Sequence, residues 1–487
     1  MSDTAVGVLG IITLFVLLGM RMPVAVAMIA VGLGGITILN SWSAAASTLI
    51  RETFVLASFN ELSVIPLFVL MGNLATISGM SRDLYDAANS WFGGFRGGLA
   101  SATIVGCAGF AALSGSSVAS AVTMGRVALP QMKRYGYDPR LATGAVAAGG
   151  TLGILIPPST GFVIYAVLTE ESIGRLFMAG ILPGLLLTGL FMAAVSLLTW
   201  WRPEIAPRAT AKPVDERYLS SWRLRALAGV IVAAGVAIGL CMKLAPEAAF
   251  YVLALGLWSV FLVLISSHDR YIHMLRAFPI VAIIGISLGG IYLGWFTPVE
   301  AASVGAFLAL VMALVRRSLS LSSGRQVLLQ TMRTTALSFL ILIGAHVFSP
   351  FLALSQIPQQ LGSALLGLGL GAYGTLAVIL AAYVVLGTFL EGFAMLVLSL
   401  PIIFPLILEL KFDPIWFGVI VVIVLEMGLI SPPVGINVFV VKSIAGDVPM
   451  RTIFWGILPF WLAMIVCVVL VTLFPEIALF IPRSMFG

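Results

Sequence analysis

The sequence predicts an all-α polytopic membrane protein, with about twelve crossings, two re-entrant hairpins and an inverted internal repeat. Three observations carry that prediction. Of the 487 residues, 60% are hydrophobic and only 9% are charged, whereas a soluble globule needs about 25% charge to coat its surface. The apolar runs are continuous and 17 or more residues long, so they read as helices and not as the alternating strands of an outer-membrane barrel. Finally, a set of Gly and Pro positions recurs in order at a nearly fixed offset. Composition also excludes a disordered chain, a collagen-like fibre and a disulfide scaffold. Cys107, Cys241 and Cys467 all sit inside apolar runs and read as small buried hydrophobes.

Apolar crossings are expected at 4–20, 23–40, 62–80, 141–167, 175–201, 226–246, 249–267, 277–297, 301–318, 335–352, 414–441 and 453–474. With no Lys or Arg before Arg21, residues 4–20 read as a first membrane helix and not as a signal peptide. Two further stretches, 97–130 and 371–408, are interrupted midway, by Ser114-Gly115-Ser116-Ser117 and by Gly387-Thr388 to Glu391-Gly392. Each arm is about 14–16 residues, or roughly 21–24 Å as helix, short of a ~30 Å hydrocarbon core. Both are therefore expected to enter and leave on one side; one kinked crossing plus a loop is the alternative. The polar stretch 202–225, rich in Arg and Pro, reads as a cytoplasmic linker, and 226–267 as an inserted helix pair.

The net charge is +6. A basic soluble protein would suggest nucleic acid as a partner, but here the basic residues lie scattered in short loops, as a topology signal does. With the N-terminus outside, twenty of the 26 Lys and Arg fall on the cytoplasmic side and five outside. Both termini are then periplasmic.

The repeat supports the same layout. Leu18-Gly19, Pro23-Val24 and Ala27 recur as Leu293-Gly294, Pro298-Val299 and Ala302, an offset of 275. Gly115 matches Gly387 at 272, Leu129-Pro130 matches Leu400-Pro401 at 271, and Asp138-Pro139 matches Asp413-Pro414 at 275. Gly153 and Pro157-Pro158 match Gly428 and Pro432-Pro433, also at 275. An odd number of crossings separates equivalent positions, so residues 276–475 are expected to be an upside-down copy of residues 1–201. Inverted repeats with broken helices are the architecture of secondary transporters, whose sites lie near the midplane.

Proline pairs at mid-membrane remove amide donors and unwind the helix. Irregular backbone is tolerated there only where it lines protein or a wet cavity. The freed carbonyls, with hydroxyls from a hairpin tip, suit a hard cation such as Na⁺, and helix N-termini at the same point favour an anion. One cation site is expected from Ser114, Gly115, Ser116 and Ser117 with Gly153 and Pro157. A second is expected from Gly387, Thr388 and Glu391 with Gly428, Ser431 and Pro432. Ser159, Thr160, Arg126 and Asn437 are the candidates for substrate contact, although Arg126 also suits snorkelling toward the cytoplasmic face near Lys133. Thr297 and Glu300 read as a capping box with Pro298 at the first helical position. Glu391 and Glu426 are carboxylates in apolar surroundings, where they are costly. His346 reads as an interhelical hydrogen-bonding group.

"TLGILIPPS" at 151–159, "GWFTPVEAA" at 294–302, "LSLPIIFPL" at 398–406 and "GLISPPVG" at 428–435, with the serine cluster at 114–117, resemble the large membrane subunit of tripartite ATP-independent periplasmic (TRAP) transporters. The resemblance covers residues 1–202 and 270–475. It implies an elevator-type, Na⁺-coupled importer of a bacterial inner membrane, with no other cofactor. It also implies two protein partners, a small four-helix membrane subunit and a periplasmic substrate-binding protein. The cargo implied is an organic anion such as a C4-dicarboxylate or a sugar acid. The pair 226–267 departs from the usual shorter subunit, and Glu391 stands where the family more often has Asp. An enzyme is not expected, since neither His-Glu-x-x-His nor a Gly-rich phosphate loop is present. A stand-alone divalent-anion/Na⁺ symporter shares the same hairpin-and-break logic and is the main alternative.

Overall fold

The structure is a computed structural model that describes residues 2–207, 268–388, 390 and 392–486. Glu391, most of the 202–225 linker and the whole 226–267 pair lie outside the described residues. Those residues form twenty α-helices and no strand. The first ten are α1 Asp3–Gly19, α2 Val24–Leu39, α3 Trp42–Ser58, α4 Val64–Ile77, α5 Met80–Phe92, α6 Gly98–Ser114, α7 Ser117–Arg134, α8 Pro139–Leu155, α9 Thr160–Thr169 and α10 Ile173–Trp201. The second series is α11 His268–Tyr292, α12 Pro298–Val315, α13 Leu321–Leu354, α14 Ile357–Gly367 and α15 Gly371–Gly387. It continues with α16 Gly392–Glu409, α17 Pro414–Ile430, α18 Ile436–Ala445, α19 Met450–Leu473 and α20 Glu476–Phe486.

Seven of the described helical spans are long and apolar enough to cross a bilayer on length and composition. The pair α8–α9 makes an eighth, bent by 40° at its break. Helices such as α1, α2, α6, α15 and α17 are apolar but of 10–17 residues. Four helices were not anticipated: α3, α5, α14 and α20. α5 carries Arg82, Asp83 and Asp86 beside Leu84 and Tyr85, so no continuous apolar run announces it. Amphipathic helices of this kind suit an interface better than a bilayer core.

Several helix starts have a local cause. Ser2, Ser41, Ser116, Ser159 and Ser172 accept a hydrogen bond from a first-turn amide, and Asp138 and Asp413 do so immediately before Pro139 and Pro414. At Thr297 the box is reciprocal: its N–H donates to Glu300 Oε2 at 2.8 Å and the Glu300 N–H donates to Thr297 Oγ1 at 3.3 Å.

Two helices form the centre. Every residue of α8 from Leu141 to Leu155 is buried, as is every residue of α17 from Ile415 to Ile430. Hairpin α6–α7 packs on α8, and hairpin α15–α16 packs on α17. Elsewhere α2 crosses α13 so closely that a Cβ on Gly32 would lie 2.8 Å from Val347 O, and one on Gly344 would lie 2.9 Å from Ala25 O. Small residues at such crossings let backbones meet where lipid gives no hydrophobic drive to helix pairing.

The two hairpins are based at opposite ends of α10. Gly97, opening the first, lies against Val195 and Thr199, and the Asp138 N–H donates to Ile205 O at 2.9 Å just beyond the C-terminus of α10. Around the base of the second hairpin, the Tyr165 hydroxyl donates to Pro414 O at 2.7 Å, and Gly418 abuts Leu176 near the N-terminus of α10.

Candidate functional site

The first hairpin tip is clamped to the first broken helix. α6 stops at Gly115, whose φ of +57° is left-handed, and Ser116 is extended, so the chain reverses within two residues. Only glycine fits at position 115: a Cβ there would lie 2.8 Å from Pro158 O. The Thr160 hydroxyl donates to Gly115 O at 2.8 Å, and the hydroxyls of Ser114 and Ser120 lie 2.9 Å apart, all buried. Gly153 admits the tip on the other side, since a Cβ there would lie 2.5 Å from Ser116 O. Ser116 and Ser159 spend their hydroxyls on capping α7 and α9, at 3.4 and 3.3 Å. Pro157 and Pro158 occupy the gap between α8 and α9.

The second tip and break meet in the same way. Gly387 and Gly428 touch through backbone, a Cβ on Gly428 lying 2.6 Å from Gly387 Cα. Thr388 donates to Val385 O at 2.8 Å. Ser431, at the end of α17, donates to Met427 O at 2.6 Å and accepts from Trp461 Nε1 at 2.9 Å. Pro432 and Pro433 follow, and Gly435 at φ +63° starts α18. Asn437 in the first turn of α18 is fully buried, and neither amide atom has a hydrogen-bond partner.

The helix ends at this centre have a common polarity. α6, α8, α15 and α17 end here, directing their C-terminal carbonyls toward it, while α7, α9, α16 and α18 begin here, directing their first-turn amides toward it. The C-terminal ends suit a cation and the N-terminal ends an anion.

The structure also joins the two halves at a point that residue-by-residue reading did not find. Ser117 Oγ donates to Glu426 Oε1 at 2.6 Å across 309 residues of sequence, and Glu426 is only 1% exposed. A lone carboxylate in an apolar run singled out Glu426; nothing local pointed to its partner. Other expected residues lie apart. Arg126 is exposed, nine residues past Ser117 and so roughly 14 Å along α7 from the tip. Thr297 and Glu300 serve the first turn of α12. His346 Nδ1 lies 3.3 Å from Glu52 Oε2 of α3.

A separate cavity of about 770 Å³ opens beside the α9–α10 turn and the start of α12, with Glu61, Glu170, Glu171 and His346 in its wall. Burial, and secondarily the Asp413 carboxylate, raises the Glu171 carboxyl above its ordinary range, while Arg175 pulls the other way.

Fold and site together define a class: a multi-pass helical membrane protein with interrupted helices packed tip to break at its centre, as transporters have. The family profile of the tripartite ATP-independent periplasmic transporter DctM component matches residues 11–477. The C4-dicarboxylate TRAP transporter large permease protein DctM of Pseudomonas aeruginosa is 35% identical over 452 residues, 92% of each chain. The sialic acid TRAP transporter large permease protein SiaM of Vibrio cholerae is 29% identical over 474 residues, 96% of each chain. In fold, the crystal structure of the YdaH transporter of Alcanivorax borkumensis is similar with a TM-score of 0.55, covering 89% of each chain at 17% identity. The chain belongs to the DctM family, as a large permease subunit of a TRAP transporter.

Proposed function

We propose that this subunit carries an organic anion, handed over by a periplasmic binding protein, across the inner membrane together with Na⁺. The observation that supports it best is the meeting of four helix C-termini and four N-termini where the two tips pack on the two breaks. That arrangement offers carbonyl oxygens to a hard cation and amide dipoles to a carboxylate. The relatives' names, C4-dicarboxylate and sialic acid, both denote carboxylate cargo. Residues 1–201 and 276–475 are read as inverted copies. Supporting this, the element order from α1 to α10 recurs from α11 to α19, with α13 standing for α3 plus α4. Further support comes from the hairpin bases at opposite ends of α10. In this reading α6–α9 and α15–α18 travel as one elevator block against a scaffold formed by the remaining helices, and both termini face the periplasm.

The test is uptake into proteoliposomes that contain this chain, its small membrane subunit and its binding protein, with and without a Na⁺ gradient. Uptake requires all components. Ser116→Ala and Thr388→Ala raise the Na⁺ concentration for half-maximal uptake; an unchanged value in both refutes the assigned sites. Equal transport by this chain alone refutes the tripartite reading in favour of a stand-alone symporter.

A further inference from the structure

The first cation site, as read above, is built from neutral groups only: Ser114 to Ser117 and the 153–158 break carry no charge. Cations in a low-dielectric centre are held better where a fixed anion faces them. Glu426 is the carboxyl group in position to supply one. It belongs to the second half, on α17, yet its carboxylate reaches the first tip through Ser117. Gly428, two residues on and so about 200° around the helix, faces the opposite way and abuts Gly387 of the second tip. The last turns of α17 are thus held between the two tips. Glu426 Oε1 takes the Ser117 hydroxyl, while Oε2 is buried without a partner. Among the described residues no Lys, Arg or His forms an ion pair with it. The equivalent residue of the first half, 275 positions earlier, is Thr151, whose hydroxyl is satisfied within its own helix by Ala148 O at 2.6 Å. The carboxyl group is therefore specific to one half.

We propose that Glu426 is the anionic ligand of the first cation site, presenting Oε2 to the ion while Ser117 holds Oε1. The inference rests on the reading of Ser114–Ser117 as a cation site. Its test is the thermal-unfolding midpoint of the purified full chain titrated with NaCl, with KCl matching the ionic strength. Wild-type protein is expected to show a saturable, Na⁺-specific rise. In Glu426→Gln the half-saturating Na⁺ concentration rises at least ~10-fold, and in Glu426→Asp, with the charge on a shorter arm, it rises by less. If wild-type protein shows no Na⁺-specific response, the cation reading itself fails. If it responds and Glu426→Gln responds at the same concentration, only the assignment of Glu426 is overturned, because Gln mimics a neutral acid. Should the Gln variant not fold, Glu426→Asp decides. A ligand withdrawn by one methylene must weaken binding, so a wild-type value there overturns the assignment and a weakened one supports it.

Discussion

Gly153→Ala is the sharpest probe of how tip and break meet. The added Cβ would lie 2.5 Å from Ser116 O, 2.7 Å from Ser116 C and 2.9 Å from Ser117 Cα. All three are backbone atoms, so no side chain can swing aside. Reaching ordinary contact at 3.4 Å requires the tip to retreat by about 0.9 Å. Overpacking of this kind costs ~1–3 kcal/mol. Replacing a helical Gly by Ala returns ~1 kcal/mol, so the net loss of stability is about 0–2 kcal/mol. The functional loss is larger. Displacing a preorganised site by ~1 Å can cost ~10²-fold in an enzyme, and we expect Na⁺-driven uptake to fall by a comparable factor. Gly189→Ala in α10, where nothing lies within 4 Å of the new Cβ, is the matched control. The assay is reconstituted uptake beside thermal unfolding in detergent for both variants. If Gly153→Ala transports as well as Gly189→Ala, the tip does not bear on the break as described and the site geometry is wrong.

Asn437→Leu removes two buried polar atoms that lack partners, so unfolding in detergent should occur at the wild-type temperature or above while uptake is lost; retained uptake would show that Asn437 touches neither ion nor cargo. Thr297→Ala breaks the reciprocal cap of α12 and should cost ~1 kcal/mol, read as a lowered denaturation midpoint, with Thr297→Ser recovering most of it. Glu171 holds its proton more tightly folded than unfolded, because burial and then Asp413 raise its carboxyl. The sign follows: this contribution to stability is complete at acid pH and fades as pH rises through the raised value. Glu171→Gln should therefore flatten the fall in unfolding temperature from the ordinary carboxylate range upward, and an unchanged profile would refute the assignment.

Much of the architecture is written locally. Continuous apolar runs give the spanning helices, because lipid demands them. Ser, Asp and Thr caps with Pro at the first position fix starts such as Asp138-Pro139 and Thr297-Pro298. The breaks at Gly115, Pro157-Pro158, Gly387 and Pro432-Pro433 fall where Gly and Pro place them. α3 and α5 carry polar residues that interrupt the apolar signal, so no continuous run marks them. What the sequence could not determine is which helix faces meet. In a soluble helix the apolar stripe points to the core, but a helix apolar all round, such as α17, shows no preferred face. Packing alone decided that Glu426 turns toward Ser117 and Gly428 toward Gly387. It also set Arg126 on an exposed face away from the tip. The reason is physical: backbone breaks are encoded by the residues that make them, whereas contacts between apolar helices are selected by shape, through groups hundreds of residues apart.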